Sequence, residues 1–386
     1  MPEMKDSGID IINLVPKEWK KIRLKYICDI QTGNEDTQNA NPEGEYPFYV
    51  RSPIVERCNR YTFDGEGILV AGDGAGAGRV FHYANGKYAV HQRVYRLANF
   101  KYNPQFLHYY LSNIFPYEMD KGSAQSTVPS MRLPMLQNFV FCLPTINESN
   151  KIVDFLEEKC IEIDTLTSDI QTQIDTLEQY KKSVITEAVT KGLNPDVEMK
   201  DSGIEWIGEI PIHWNVIPTK YCFRIGNGSD PTTDEGATPV YGSGSKSFKT
   251  CVEFKSGPTV LLGRKGTINI PQYVVGNYWN VDTAFDAKAI REYNLKLFYY
   301  CAVCFDYDNY STQTALPSMT QGNYNNIRLP LMTIKEQEDI IQYLDEKCFE
   351  IDGIVKNKKK QLETLERYKK SLIYEYVTGK KEVPNE

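Results

Sequence analysis

Glu158-Lys159-Cys160-Ile161-Glu162-Ile163-Asp164 returns as Glu346-Lys347-Cys348-Phe349-Glu350-Ile351-Asp352, and Tyr180-Lys181-Lys182-Ser183 returns as Tyr368-Lys369-Lys370-Ser371, both 188 residues further on. Around each block the apolar residues follow steps of three and four, the spacing of one helix face. In 146–191 the ladder reads Ile163, Leu166, Ile170, Ile174, Leu177, Val184 and Ala188, with Lys181 in the missing place. In 334–378 it reads Ile351, Ile354, Lys358, Leu362, Leu365, Lys369, Leu372 and Tyr376. Apart from Gly353, neither run contains an internal proline or glycine, so each predicts an unbroken helix of roughly 65 Å at 1.5 Å per residue.

A single-stripe helix of that length needs something to cover the stripe. Packing on its own globular domain is the simpler reading for one such helix; two stripes matched position for position favour packing on each other. Gly192-Leu193-Asn194-Pro195 stops the first helix, and the chain must cross a whole domain before the second begins, so the pair is predicted to be antiparallel. Two consecutive four-residue steps interrupt strict heptads, which predicts a straighter pair than a supercoiled one.

The duplication reaches upstream as well. Met4-Lys5-Asp6-Ser7-Gly8-Ile9 returns as Met199-Lys200-Asp201-Ser202-Gly203-Ile204, and Trp19 with Lys25-Tyr26 returns as Trp214 with Lys220-Tyr221, now 195 residues on. The copies part at Asp10-Ile11-Ile12-Asn13-Leu14-Val15-Pro16 against Glu205-Trp206-Ile207-Gly208-Glu209-Ile210-Pro211, which predicts a less regular first entry. Two copies of one unit can build a pseudo-two-fold object, suited to a target with two sites in opposite orientation.

The chain therefore divides into a mixed, turn-rich domain at 1–145, a central helix at 146–191, a second domain at 192–333 and a distal helix with tail at 334–386. The fold class is α+β. Ile68-Leu69-Val70-Ala71 and Val260-Leu261-Leu262 predict buried strands, and Pro104 to Asn113 and Leu295 to Cys304 predict short helices. With 386 residues, 41% hydrophobic and 25% charged, there is material for two cores. The N-terminus lacks a basic segment followed by an apolar run, and no stretch of about 18 apolar residues occurs, so a cytoplasmic protein without a membrane span is expected. Nine scattered cysteines, with only Cys301 and Cys304 close together, spell neither a disulfide framework nor a four-ligand zinc site.

A net charge of −7 argues against a uniformly basic nucleic-acid binder, but its distribution is uneven. Residues 1–145 hold 16 Lys and Arg against 15 Asp and Glu, and 192–333 hold 12 against 14, so both domains are near neutral. The segment 146–191 holds 5 against 10, and 334–381 holds 11 against 10. Local basic loops are compatible with these balances. Arg79, Lys87, His91, Arg93 and Arg132 in the first copy, and Lys246, Lys249, Arg264, Lys265 and Arg328 in the second, lie near glycine- or proline-rich turns and form a candidate DNA-contacting set. The repeated segment from Gln125 and Ser130 to Met131, matched by Gln313 and Ser318 to Met319, offers side chains that donate and accept, suited to base edges or phosphates. The plainer role for Ser130 and Ser318 is helix capping.

Catalytic chemistry is thinly represented. Gly72-Asp73-Gly74-Ala75-Gly76-Ala77-Gly78 lacks the Gly-Lys-Ser/Thr ending of a phosphate loop, and Gly263-Arg264-Lys265-Gly266 follows the equivalent strand in the other copy. The four histidines form no His-Glu-x-x-His, and Asp196, Glu198 and Lys200 are too close in sequence to come from adjacent strands of a nuclease metal site. Asn103-Pro104-Gln105-Phe106 resembles the Asn-Pro-Pro-Phe of amino methyltransferases but lacks a proline, and no cofactor loop precedes it.

Taken together, the doubled Met-Lys-Asp-Ser-Gly-Ile, the Trp206-Ile207-Gly208-Glu209-Ile210-Pro211-x-x-Trp214 entry, the doubled Glu-Lys-Cys-x-Glu-Ile-Asp and the doubled Tyr-Lys-Lys-Ser resemble the specificity subunit of type I restriction-modification enzymes over nearly the whole chain. The resemblance implies two target-recognition domains, each reading one half of a bipartite double-stranded DNA sequence. It implies that the helices form an antiparallel coiled coil, with Ile163, Leu166, Ile170, Ile174, Leu177, Val184, Ile351, Ile354, Leu362, Leu365 and Leu372 as its seam. It further implies that the coiled coil sets the spacing and docks two modification subunits. The chain itself would be noncatalytic and hold no cofactor or metal: S-adenosylmethionine, ATP and Mg would belong to the modification and the restriction/translocase subunits. An adaptor that tethers two protein-binding domains, and an autonomous nuclease or methylase, are the alternatives.

Overall fold

The computed structural model describes residues 3–122, 130–244, 246–312 and 316–384. Its helices, in chain order, are α1 (Pro104–Gly122), α2 (Leu133–Asn138), α3 (Ile146–Lys191), α4 (Leu295–Cys304), α5 (Tyr307–Tyr310), α6 (Gln321–Asn326) and α7 (Ile334–Val377). The chain packs as two compact units, 1–169 with 361–386 and 170–360, so each unit takes in part of α3 and part of α7.

The first unit opens with the hairpin of Met4–Asp6 on Leu14–Pro16. One four-stranded sheet orders Asp29–Thr32, Val94–Ala98, Gly67–Ala71 and Phe81–Ala84; a second orders Glu56–Cys58, Tyr46–Tyr49, Lys87–Val90 and Phe63–Asp64. A two-stranded ladder of Lys20–Arg23 on Val140–Leu143 leads into α3. The second unit repeats this plan strand for strand: Met199–Asp201 on Glu209–Pro211; then Phe223–Asn227, Ala284–Ala289, Thr259–Gly263 and Gln272–Val274; then Ser247–Cys251, Thr238–Tyr241, Asn277–Asn280 and Lys255–Ser256; then Asn215–Pro218 on Arg328–Leu331. The apolar runs Gly67–Ala71 and Thr259–Gly263 are buried along their whole length, as central strands covered on both faces must be.

The first entry is as regular as the second. Met4 faces Pro16 as Met199 faces Pro211, and Asn13 at φ 60° stands where Gly208 has φ 68°; asparagine tolerates the left-handed conformation that the turn demands. The Asp-Ser-Gly of each hairpin is a turn of side-chain hydrogen bonds: the Gly8 amide donates to Asp6 at 2.8 Å and the Ile9 amide to Ser7 at 3.0 Å, matched by Gly203 to Asp201 at 2.9 Å and Ile204 to Ser202 at 3.1 Å.

The repeated tryptophans anchor each unit to its long helix. Trp19 and Trp214 are fully buried, and their indole N–H groups donate to Glu148 (3.1 Å) and Glu336 (2.9 Å) in the first turns of α3 and α7. Thr145 and Thr333 cap those turns, with Thr333 and Glu336 forming a reciprocal capping box. The far ends of the helices close on the same residues. Gly192 and Gly379 take positive φ, and a Cβ at Gly379 would lie 2.4 Å from Pro16 and 3.0 Å from Trp19, so only glycine fits there.

Within each unit the stretches of α3 and α7 run antiparallel. In the first, Phe155 meets Tyr376 (ring centroids 4.6 Å apart) and Asp164 meets Lys369 (2.6 Å). In the second, Gln173 meets Lys358, Glu178 meets Lys359 (3.2 Å), and Lys181 meets Asp352 (2.7 Å). Partner numbers fall on α7 as they rise on α3. The two Lys–Asp contacts are one interaction made twice, since Asp352 and Lys369 repeat Asp164 and Lys181 at the same shift. Each lysine stem occupies a seam place while its ammonium reaches a carboxylate at the edge.

The seam differs from the predicted one at two places. Leu166 is 52% exposed and Ile354 46% exposed, while Val355 is buried and Thr167 half-buried. The inward positions are therefore 163, 167, 170, 174, 177, 181, 184 and 188 on α3, and 351, 355, 358, 362, 365, 369, 372 and 376 on α7. Steps of four and three now alternate without interruption, so the reason for expecting a straighter pair disappears, and the pattern is the seven-residue repeat of a left-handed supercoil. Ile163, Ile174, Val184, Ile351 and Leu372 are buried; Ile170, Leu177, Leu362 and Leu365 are half-buried. Thr167 is tolerated because its hydroxyl donates back to the Ile163 carbonyl at 2.8 Å.

Candidate nucleic-acid interface

In both units the central strands end in the same backbone frame. After Ala71, the Gly72 amide donates to the Arg93 carbonyl (2.8 Å), and the Gly72 carbonyl accepts from the Met131 amide (2.8 Å). After Gly263, the Arg264 amide donates to the Thr283 carbonyl (2.7 Å), and the Arg264 carbonyl accepts from the Met319 amide (2.9 Å). One residue further, Asp73 bridges to Ser130 and Lys265 bridges to Ser318. Three chain segments thus hold one position in each unit, and the side chain at that position differs.

In the first unit the frame gathers Arg93 and Ser130 from the predicted set and adds Asp73 and Arg51. The Asp73 carboxylate accepts from Arg51 at 3.0 Å and lies 3.8 Å from Arg93. A groove lined by Thr37, Arg51, Ser52, Asp73 and Gly74 opens beside them. His91 supports this arrangement from within: it is 3% exposed, and its Nδ1 accepts from the Arg93 amide at 2.9 Å. Burial, then the nearby Arg51 charge, holds its imidazole below the ordinary pKa, and the equivalent residue in the other unit is the buried Val281. His91 is therefore a scaffold residue whose ring offers nothing to a duplex. Arg79 pairs with Asp120 of α1, Lys87 holds its ammonium 4.8 Å above the Tyr61 ring, and Arg132 is exposed at the start of α2.

In the second unit Arg264, Lys265 and Ser318 come together. The Arg264 guanidinium donates to the Asp282 carbonyl at 3.2 Å and lies 6.0 Å from the Phe285 ring, whereas Lys265 is exposed and carries no ion pair among the described residues. Lys249 pairs with Asp234 at 2.7 Å, and this hydrogen bond raises its pKa; Lys246 is exposed just before the same strand. Arg328 is exposed at the start of the strand that pairs with Asn215–Pro218. Gln125 and Gln313 lie outside the described residues.

The helix-cap role read for Ser130 and Ser318 belongs to neither. Arg132 and Thr320 occupy the cap positions of α2 and α6, while Ser318 shares a hydrogen bond with Thr312 at 2.7 Å. Asn103 is itself a cap: its side chain accepts from the Gln105 and Phe106 amides at 3.0 and 3.1 Å, with Pro104 leading the helix, which gives the Asn-Pro pair a structural role. The other histidines are also engaged. His82 Nε2 lies 3.0 Å from the Ser52 carbonyl, His213 lies 2.7 Å from Glu336, and burial, with the His82 charge, holds His108 down to about 4. All nine cysteines are free and buried, and burial pushes the Cys304 thiol up to about 11. Among the described residues no group of three or more His, Cys, Asp or Glu side chains could hold a metal, and no helix is long and apolar enough to cross a membrane.

Known proteins share this organisation. Residues 16–176 match the family model described as the type I restriction modification DNA specificity domain. The type I restriction enzyme EcoDI specificity subunit of Escherichia coli is 24% identical over 47% of this chain, a match that spans 40% of that relative's length. The MjaVIII specificity subunit of Methanocaldococcus jannaschii is 24% identical over 96% of this chain and 95% of its own. A solved structure from work on complex assembly and conformational transition of a type I restriction-modification system superposes with a TM-score of 0.69 at 14% identity, over 95% of this chain and 99% of that one, which establishes a common fold. With the doubled entry, the doubled helix and the doubled frame in view, these matches show that residues 16–176 resemble a type I restriction-modification DNA specificity domain and that the chain as a whole is similar to type I specificity subunits.

Proposed function

We propose that the chain reads a bipartite double-stranded DNA target, one half through each unit, and that the α3–α7 pair acts as the coiled-coil spacer that docks two modification subunits. The observation that carries this reading is the doubled frame: one backbone arrangement presents Asp73 with Arg51 and Arg93 in the first unit, and Arg264 with Lys265 in the second. A scaffold repeated faithfully with its exposed chemistry changed is what two different half-sites require. Donors and acceptors at loop tips suit the major groove, where each base pair presents its own pattern.

The specificity subunits of type I systems are noncatalytic DNA-recognition subunits, and the chemistry in this proposal lies elsewhere in the complex. S-adenosylmethionine would act on the modification subunits, and ATP and Mg on the restriction/translocase subunits. The near-neutral balance of both domains, 16 basic against 15 acidic residues in 1–145 and 12 against 14 in 192–333, gives little phosphate attraction. Binding by the chain alone is therefore expected to be weak, and tight binding to follow when modification subunits add phosphate contacts. Gel shifts of the isolated chain and of the assembled complex on the same duplex test this. Equally tight binding by both refutes the dependence on partners, and no sequence preference in the complex refutes the reading itself.

A further inference from the structure

The strand registers align the two units residue by residue around the frame. Tyr49 pairs with Val90 as Tyr241 pairs with Asn280, and Val94 pairs with Ala71 as Ala284 pairs with Gly263. Arg51 therefore corresponds to Ser243, Arg93 to Thr283, Gly72 to Arg264, and Asp73 to Lys265. The charge at the centre is inverted about a common backbone. The first unit has an acid at the centre and bases at both flanks; the second has bases at the centre and neutral hydroxyl side chains at the flanks.

The strands that end in the frame are buried alike in both units, while His91 beneath Arg93 gives way to Val281. Ala71 and Gly263 are both buried, as are Val94 and Ala284, and the amide-to-carbonyl bonds of the frame differ by about 0.1 Å between units. The backbone of the frame is thus held by amide-to-carbonyl bonds that do not involve the side chains that differ. Lys265 is exposed and without an ion pair among the described residues, so it contributes little to holding its own loop. Asp73 is only partly exposed, holds Arg51 by a hydrogen bond of 3.0 Å and draws the Arg93 guanidinium to 3.8 Å, so that one carboxylate orients both arginines.

Resting on the proposed reading of DNA, we infer that position 73 in the first unit, and its equivalent 265 in the second, is a specificity-determining position. Lys265, beside Arg264, donates to an acceptor edge such as guanine O6 and N7 in one half-site. Asp73 is a positioning residue that aims Arg51 and Arg93 at the other half-site. Both halves thus use cationic donors, supplied from the centre of the frame in one unit and from its flanks in the other.

The test is methylation-sensitive sequencing of DNA from a host that carries the chain with its modification subunits and no restriction subunit. Wild type, Asp73→Asn and Lys265→Gln are compared. Each variant is expected to relax the modified sequence in one half-site only, the two variants in opposite halves, with discrimination at the affected base falling roughly tenfold or more. Asp73→Asn preserves shape while loosening both arginines, so Arg51→Lys with Arg93→Lys should relax the same half-site. Lys265→Gln removes an exposed group and leaves folding untouched, which keeps the test open even if the Asp73 variant is unstable. Modified sequences identical to wild type in both variants overturn the assignment while leaving bipartite reading intact. A wild-type complex that marks no bipartite sequence overturns that reading and the inference with it.

Discussion

The helices and the loops of this molecule change between copies in opposite ways. Along α3 and α7 the inward positions correspond one to one, down to a Lys–Asp pair made in each unit. At the frame the backbone corresponds just as well, yet the acid Asp73 gives way to the base Lys265 and the flanking arginines give way to neutral hydroxyl side chains. Side chains that meet a partner inside the molecule keep their inward place and, where the contact itself is repeated as in Lys181–Asp352 and Lys369–Asp164, their type as well. Side chains whose partner lies outside are held only to their place.

Four predictions press on this contrast. The largest effect belongs to the shared anchors: Trp214→Ala removes a fully buried indole and its bond to Glu336, and should cost about 3–5 kcal/mol. Trp19→Ala should cost as much. Urea unfolding of both variants checks this, and a clear inequality would show that the two anchors are not equivalent. Next, Leu177→Asp or Leu365→Asp places a carboxylate in the seam and should cost about 2 kcal/mol while loosening the helix pair, read as faster proteolysis of α3 and α7. Unchanged proteolysis would mean that the half-buried seam positions do not hold the helices together.

The third concerns acid. Burial raises the Glu336 pKa, but hydrogen bonds from Trp214, His213 and Thr333 outweigh it and hold the carboxyl at about 2, below its ordinary value of 4.5. A depressed folded-state pKa contributes stability that is present above pH 4.5 and lost as pH falls from there towards 2. Glu336→Gln should flatten the acid limb of the stability curve across that window; a limb of unchanged slope would remove Glu336 as its source. The smallest effect is that of the paired Lys–Asp contacts. With side chains 28% and 60% exposed, Lys181 and Asp352 should couple by at most about 1 kcal/mol in a double-mutant cycle, and Lys369 with Asp164 equally.

Repetition made much of the fold readable in advance. The extents of the long helices, the antiparallel sense, the buried strands and the short helix Leu295–Cys304 all follow from periodicity and punctuation. Leu166 and Ile354 mark where that reading fails: a hydropathy ladder selects the nearest apolar residue, but the rotation of a helix at its seam is set by the helix it meets. Pro116 hid the true length of α1, which continues through it to Gly122. Thr145 and Thr333 each stand three residues before a glutamate, a capping signal present in the sequence and confirmed in the contacts they make. The frame was half legible. Arg93, Ser130, Arg264, Lys265 and Ser318 lie near glycine- or proline-rich punctuation, but Arg51 reaches Asp73 only because Tyr46–Tyr49 pairs in parallel with Lys87–Val90, and no local pattern encodes that register.

The sequence by itself determined that the chain is built twice, how long its helices are and which way they run, because those properties depend on residue spacing and chain continuity. Tertiary structure alone decided which residues face inward at 166–167 and 354–355, that His91 belongs to the interior, and that an acid in one unit stands where a base stands in the other. Each of these depends on contacts between segments far apart in the chain, and short-range periodicity carries no information about such contacts.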